Sequence, residues 1–357
     1  MNTSLINQAN LKNSKIAYSA RNVMLESVAS LLRGDDVIPN SGDIVLARIT
    51  KIGQLTELEL ANGRRSVLFA DDEVIVCYGD CHAADQYDAQ VPTDLESCDL
   101  VAAGGIASLI NHRHAHAKPS TMLQPIGLLA NGDHRRINLK DTALPKVVSL
   151  ISRPYTVAVV GTSIHGDNTM VAANVIRGLT KAGYTVGAAK ITGTASGSDT
   201  WLMIDAGASI ALDMTDAGFP STHLVSPEQV DGIIETLMAH LCVSRVDAIV
   251  IEVGDGLFQR ETAAMLDSKM FAKTVDGIIL AAADAMSAVS GVESLVNKKL
   301  PIIALGGHLI DSPLATLEIV NAIGLPVLDR MALGSSDIVN TLQIPLQENI
   351  FHIQTAC

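Results

Sequence analysis

From residue 155 onward the chain repeats one pattern: a short apolar run, a glycine-containing turn, then a stretch with helical spacing. The runs are "TVAVVG", "TVGAAKITG", "DAIVIEVGDG", "DGIILAAADA", "LPIIALGG" and "LPVLDRM", and "MVAANVIRGLTKAG" is the clearest helix between them. Strands joined through helices run parallel, because a helical crossover brings each new strand back in the direction of the last. Runs that are apolar on both faces belong in a sheet covered on both sides. The chain is 48 % apolar but only 3 % aromatic, so the core has to come mainly from Ala, Val, Ile and Leu, as it does in such sheets. The pattern predicts an α/β unit over residues 151–335, with a mostly parallel sheet flanked by helices.

The preceding text has another rhythm. "GDIVLARITKIGQLTELELANGRRSVLFADDEVIVCYGD" is a series of short β-rich runs broken by Gly, Asn-Gly and Asp pairs, which reads as a meander or small barrel. Its clearest hairpin is "LELANGRRSVLF". "DLVAAGGIASLI" and "TMLQPIGLLANGDHRRINL" continue the unit with a Gly-Gly turn, a helix and further strands. The expected division is a helical, polar lead over 1–40, a smaller β-rich domain over 41–150 ending near Pro145, the α/β unit, and a C-terminal segment over 336–357.

A formal net charge of −13 argues against binding nucleic acid or an anionic membrane through bulk electrostatics and favours a small-molecule substrate. Five scattered cysteines in 357 residues are unlike a disulfide framework and suit a reducing cytoplasm. The polar N-terminus lacks the pattern of a signal peptide, and no apolar run is long enough to span a bilayer. A homo-oligomer, by default a dimer, is the expected assembly.

The chemistry is expected at three strand ends. "TVAVVGTSIHGDNTM" is a strand breaking into a glycine-rich turn and a helix, the arrangement that aims backbone N–H groups at an anion. Gly161, Thr162, Ser163, His165, Gly166, Asp167, Asn168 and Thr169 are the candidate phosphate-loop residues. A P-loop ends in Gly-Lys-Ser/Thr, and alignment from Gly161 places Asp167 on the glycine, Asn168 on the lysine and Thr169 on the hydroxyl. A carboxylate a few ångströms from a phosphate costs about 1 kcal/mol in water-like surroundings and about 4 at an intermediate dielectric. Mg²⁺ on Asp167 and Thr169 would reverse that sign.

The second strand end carries Lys190, a cation for a phosphate or a substrate carboxylate, against the alternative of a solvated lysine. Thr192, Gly193, Thr194 and Asp199 follow as candidate substrate contacts, with Ser196 and Ser198 as further hydroxyls that ordinary turn chemistry also accounts for. The third end carries Glu252 and Asp255, a pair that could share a Mg²⁺ or act as general base, with Thr169 and Glu252 as the candidate Mg²⁺ ligands. The alternative is that Glu252 merely pairs with Lys190 and Asp255 stabilises its turn. In an open α/β sheet these ends share one crevice. Separately, Cys77, Cys81, His82, His112, His114 and His116 form two clusters that could supply a zinc site, though alternate histidines on a strand share one face without any metal. Arg135 and Arg136 read as a solvated turn.

Taken together, "GTSIHGDNT", "KITGTASGSD" and "EVGDG" resemble the dethiobiotin-synthetase-like branch of P-loop proteins. There, a phosphate loop is followed by a strand ending in Lys and a Thr-Gly pair, then by a strand ending in an acidic residue and a glycine-rich turn. "VGAAKITGTASGSDTW", "DAGASIALDMTDAG" and "DGLFQRETAAML" resemble more closely a bacterial domain-of-unknown-function family of P-loop proteins, some linked to N-acylation of D-glutamate. The likeness covers roughly residues 150–332 and departs from both families at Asp167 and Asn168. It implies a small-molecule enzyme that transfers a phosphoryl or acyl group to an acidic amino or carboxylate compound. ATP with Mg²⁺, or acyl-CoA, is the implied donor. An acyl donor needs no phosphoryl-transfer lysine. The alternatives are a degenerate P-loop domain kept for binding or scaffolding, and a metal protein built on the N-terminal Cys/His groups.

Overall fold

The computed structural model describes residues 2–6, 8–83, 85–147, 153–163, 167–308 and 313–344. The N-terminal unit holds β1 (Asn2–Leu5), α1 (Gln8–Asn13), β2 (Lys15–Ile16), β3 (Ser30–Arg33), β4 (Ile44–Lys51), β5 (Glu57–Glu59) and β6 (Arg65–Val67). It continues with β7 (Glu73–Tyr78), β8 (Cys81–Ala83), β9 (Tyr87–Gln90), β10 (Cys98–Ala102), β11 (Ile106–Arg113) and β12 (Thr121–Ala130). The pairings β12–β4, β4–β7, β7–β11, β11–β10 and β10–β12 return to their starting strand, so the sheet closes into a small barrel. Closure removes the exposed strand edges that an open sheet presents to other chains. β3 and β1 extend the sheet from β12, and β9 and β8 extend it from β11.

Period-two alternation then gives the barrel wall two apolar faces. Val45, Ala47 and Ile49 of β4 join Val74, Val76 and Tyr78 of β7 in one cluster. Ile44, Leu46, Ile75 and Cys77 join Tyr18, Ala20 and Ala195 in the other. The hairpin in "LELANGRRSVLF" forms as β5 against β6. The helix expected between residues 98 and 130 does not: β10 and β11 form an antiparallel pair across the Gly-Gly turn. "DLVAAGGIASLI" has apolar residues throughout, which fits a strand buried on both sides as well as it fits a helix.

The second unit is an α/β fold with a parallel sheet flanked by helices. Its elements are β13 (Tyr155–Gly161), α2 (Asn168–Lys181), β14 (Val186–Thr192), α3 (Gly197–Ala206), β15 (Ile210–Asp213), α4 (Pro227–Val243) and β16 (Ala248–Gly256). They continue with α5 (Arg260–Leu266), α6 (Lys269–Thr274), β17 (Gly277–Ala281), α7 (Ala285–Asn297), β18 (Ile302–Gly306), α8 (Pro313–Ile323), α9 (Arg330–Leu333) and α10 (Ile338–Leu342). The strand order is β15-β14-β16-β13-β17-β18, all parallel. Ala158 and Val160 of β13 pack with α4, α6 and α7 on one face, while Val157 and Val159 pack with α2, α3, α9 and α10 on the other. Two expectations change. "LPVLDRM" makes only a single bridge, Val327 to Leu305, before turning into α9. The Gly- and Ser-rich connection after β14 becomes helical at Gly197, so its second half is α3. No helix among the described residues is long and apolar enough to cross a membrane.

Candidate functional site

β14, β16 and β13 are neighbours in that order, so the three chemistry-bearing strand ends lie side by side. Lys190 of β14 stands opposite Glu252 of β16, which stands opposite Val159 of β13. By parity, Lys190 and Glu252 share the face that Ala188, Val250 and Val159 turn towards α2 and α3. Both are polar where the alternation calls for an apolar residue, and both are buried.

A buried charge needs a partner or a proton. Lys190 finds Asp199, in the first turn of α3, with which it makes a close ion pair. Burial pushes the Lys190 pKa down, but Asp199 and then Glu252 more than offset it, and the ammonium holds its proton more firmly than usual. The direct carboxylate partner of Lys190 is therefore Asp199. Glu252 is held otherwise: its Oε1 accepts a 2.7 Å hydrogen bond from Thr169 Oγ1, and its Oε2 is buried without a hydrogen-bond partner. Burial raises its pKa to about 7, against the pull of Lys190. Asp255, in left-handed backbone with φ of 64°, also has a raised pKa from burial, with Lys190 pulling it back.

The described part of the loop is committed within the protein. Asn168 opens α2, and its Nδ2 donates to the Val253 and Asp255 carbonyls at 3.0 and 3.2 Å. Its Oδ1 is buried without a hydrogen-bond partner, and a Cβ added at Gly161 would overlap this amide. The side chain at the lysine position thus ties α2 to the end of β16. Asp167 takes left-handed backbone, φ 65°, the conformation that glycine favours at this place in the loop. Its carboxylate lies 3.2 Å from Arg330 of α9, so the repulsion expected towards a phosphate is partly compensated by that guanidinium. The Thr162 amide donates to the Ala281 carbonyl at 2.9 Å, and its hydroxyl is buried without a hydrogen-bond partner. Ser163 abuts Gly256. His165 and Gly166 lie outside the described residues.

Thr192 Oγ1 donates to the Gly254 carbonyl at 3.1 Å, closing β14 onto the β16 turn, and Gly193 N–H donates to Thr222 Oγ1 at 2.9 Å. Thr194 Oγ1 lies 3.7 Å from Cys81 Sγ. Gly193, Thr194 and Cys81 line a cavity of about 560 Å³ between the two units, and Thr192 lies outside its lining. Asp167, Asn168, Thr169, Lys190, Gly193, Thr194, Asp199, Glu252 and Asp255 form the α/β wall. The opposite wall, which the three strand ends do not include, holds Glu59, Arg65, Cys81, His82, Asp85 and Gly104. Gly104 is required by approach: an added Cβ would overlap the Ala195 carbonyl. Glu59 Oε2 accepts from the Gly197 amide at 2.7 Å, placing a carboxylate at the N-terminus of α3, and Arg65 pairs with its other oxygen at 3.1 Å.

The N-terminal Cys/His clusters do not come together as a zinc set. Burial raises the thiol pKa of Cys77 well above its ordinary value and that of Cys81 to about 11, so both stay protonated at neutral pH. Of His112, His114 and His116 only the first is on a strand; the others follow β11 in an exposed turn and share no strand face with it. Arg136 is no free turn residue either, since its guanidinium lies 2.8 Å from the fully buried Asp43.

The donor set around Thr169 fits a hard divalent cation. A hydroxyl and a carboxylate are in contact, and the second carboxylate oxygen has no hydrogen-bond partner. The lysine-type phosphate cradle does not fit, because Asn168 is neutral and engaged elsewhere.

No family model matches the chain, and no curated protein matches it. Among solved structures the chain is similar to the Signal Recognition Particle 54 kDa protein from Aeropyrum pernix K1 in complex with GDP. The identity is 16 % over 54 % of this chain and 46 % of that one, with a TM-score of 0.37. A duf1611 family protein from Anabaena variabilis is 12 % identical over 56 % of this chain and 62 % of its own, with a TM-score of 0.40. Cell division protein FtsY from Thermotoga maritima is 14 % identical over 57 % of this chain and 74 % of its own, with a TM-score of 0.36. The chain spans less than two thirds of the first two. All three likenesses are distant.

Proposed function

We propose that the chain is an enzyme that transfers an acyl group to the amino group of a small acidic compound in the cavity between its two units. The observation that carries this reading is Glu252: a buried carboxyl with a pKa raised to about 7, lining the cavity beside a lysine. A base with that pKa takes a proton at neutral pH and returns it readily. As the amine nitrogen bonds to the acyl carbon, Glu252 accepts the amine proton and the donor's leaving group departs. Lys190 and Arg65 supply positive charge for the acceptor's carboxylate, and the acceptor reacts as its free amine. A thioester such as an acyl-CoA supplies the acyl group without needing a lysine in the loop.

A second reading, phosphoryl transfer from ATP, is favoured by the contact of Thr169 with Glu252, the pair that would hold Mg²⁺. Calorimetry with acetyl-CoA and with ATP, each with and without Mg²⁺, separates the two. The same titrations are run on the Asp167→Gly, Asn168→Lys double variant. Acyl-CoA binding by the wild type, with ATP silent until the loop is restored, is the expected result. ATP binding by the wild type that disappears without Mg²⁺ would replace acyl transfer with phosphoryl transfer. Silence towards every donor would return the domain to a binding or scaffold role.

A further inference from the structure

We infer that His82, Asp88 and His223 form a divalent transition-metal site at the seam between the two units, beside the cavity. His82 and Asp88 are direct cross-strand partners in the β8–β9 hairpin, and His223 comes from the segment after β15, 141 positions beyond His82 in the chain. One ligand atom from each lies within 4.8 Å of the others. The Asp88 Oδ1 is 3.4 Å from His223 Nε2 and 4.0 Å from His82 Nδ1. Metal–ligand bonds of about 2.0–2.1 Å in a tetrahedral shell put ligand atoms about 3.3 Å apart, so the His223–Asp88 pair is already at that spacing and the widest separation has to contract by up to about 1.5 Å.

Three further observations point the same way. The two imidazole rings lie 5.4 Å apart at 30°, so both rings stand against the same small space. The Nε2 of His223 faces Asp88, and its Nδ1 is buried without a hydrogen-bond partner. The buried Asp255 lines the same cavity as His82 and adds a carboxylate from the α/β side.

Two imidazoles and one carboxylate suit Zn²⁺ and its borderline neighbours Co²⁺ and Ni²⁺ better than Mg²⁺ or Ca²⁺. Three protein ligands leave a coordination position open, which is the arrangement of reactive sites and not of closed structural ones. Of the three ligands His82 lines the cavity, so the metal site adjoins it. The inference holds whichever donor the cavity takes.

The test is titration of the full chain, after chelator treatment, with Zn²⁺ by calorimetry and with Co²⁺ by visible absorption. One ion per chain is expected. His82→Ala, Asp88→Ala and His223→Ala should each weaken binding by at least about tenfold, the lower end of what loss of even an outer-shell partner costs. His82 and Asp88 are about a third exposed, so their variants keep the test open if His223→Ala fails to fold. His114→Ala, in the exposed His114–His116 pair, should leave binding unchanged. Absence of binding by the folded wild type, binding indifferent to the three ligand variants, or binding lost with His114→Ala would each overturn the assignment.

Discussion

At Glu252 burial and a neighbouring cation act in opposite directions, and burial wins: the pKa rises from 4.5 to about 7 although Lys190 stands across the sheet. The sign for stability follows. The folded protein keeps a proton that the unfolded chain releases above about pH 4.5, so folding binds protons across this window. This group's contribution therefore favours the fold below the unfolded pKa and is lost as the pH rises towards 7. Glu252→Gln imitates the protonated form and can still accept from Thr169. Urea unfolding at acid and at slightly alkaline pH should show the variant gaining on the wild type as pH rises, by up to about 3 kcal/mol. Equal pH slopes for the two proteins would mean that Glu252 does not titrate in this window. The acidic end of "DAIVIE" was legible in the sequence because a lone charge closing an apolar run marks where a buried strand reaches the edge of its sheet. The Lys190 partner was not, because Asp199 reaches it only once the Gly- and Ser-rich stretch winds into α3.

At the scale of elements, the junction of β13 and α2 is set by one glycine and one amide side chain. Gly161 ends the strand and Asn168 begins the helix, and the Asn168 amide lies where a Cβ at Gly161 would stand. All three nearest atoms to that Cβ belong to the Asn168 side chain, so the clash is between one pair of residues. Gly161→Ala alone should destabilise the protein by about 1–3 kcal/mol, the usual cost of overpacking. Asn168→Ala in the same chain should recover most of that loss, giving a coupling of about 0.5–3 kcal/mol in a thermal or urea double-mutant cycle. Additive losses would show that the glycine answers to something else, such as the neighbouring loop. The strands and this helix were legible because their apolar periodicity is local. The β10–β11 hairpin and α3 were not: the hairpin is apolar on both faces, and the helix starts in turn-forming residues. Arg330, which pairs with Asp167, carries no local signal at all, since the contact spans 163 positions.

At the scale of the molecule, the cavity exists because the two units are joined by buried polar contacts. Arg21 Nη2 lies 3.2 Å from Asp213 and 2.8 Å from Asp216, and its guanidinium covers the Tyr18 ring at 4.0 Å. The Tyr18 hydroxyl donates to Asp213 at 2.9 Å and lies 2.8 Å from Thr200 Oγ1. Burial, then Asp213, raises the Asp216 pKa, and Arg21 is the cation that lowers it. Arg21→Met leaves two buried carboxylates facing each other without that cation, a loss that costs about 3–5 kcal/mol when a buried pair is broken. In the variant one carboxylate must take up a proton to fold, so its pKa rises further and stability falls as pH increases through that value. The deficit against the wild type should thus be largest at neutral and alkaline pH and shrink on acidification. Asp216→Asn added to Arg21→Met should restore part of it by removing one of the charges. Calorimetric unfolding of the full chain should turn from a single transition into two as the barrel and the α/β unit lose their coupling. A single unshifted transition in Arg21→Met would mean that the apolar contact of Tyr18 and Ala195 holds the units together by itself, and that the cavity between them does not depend on charge.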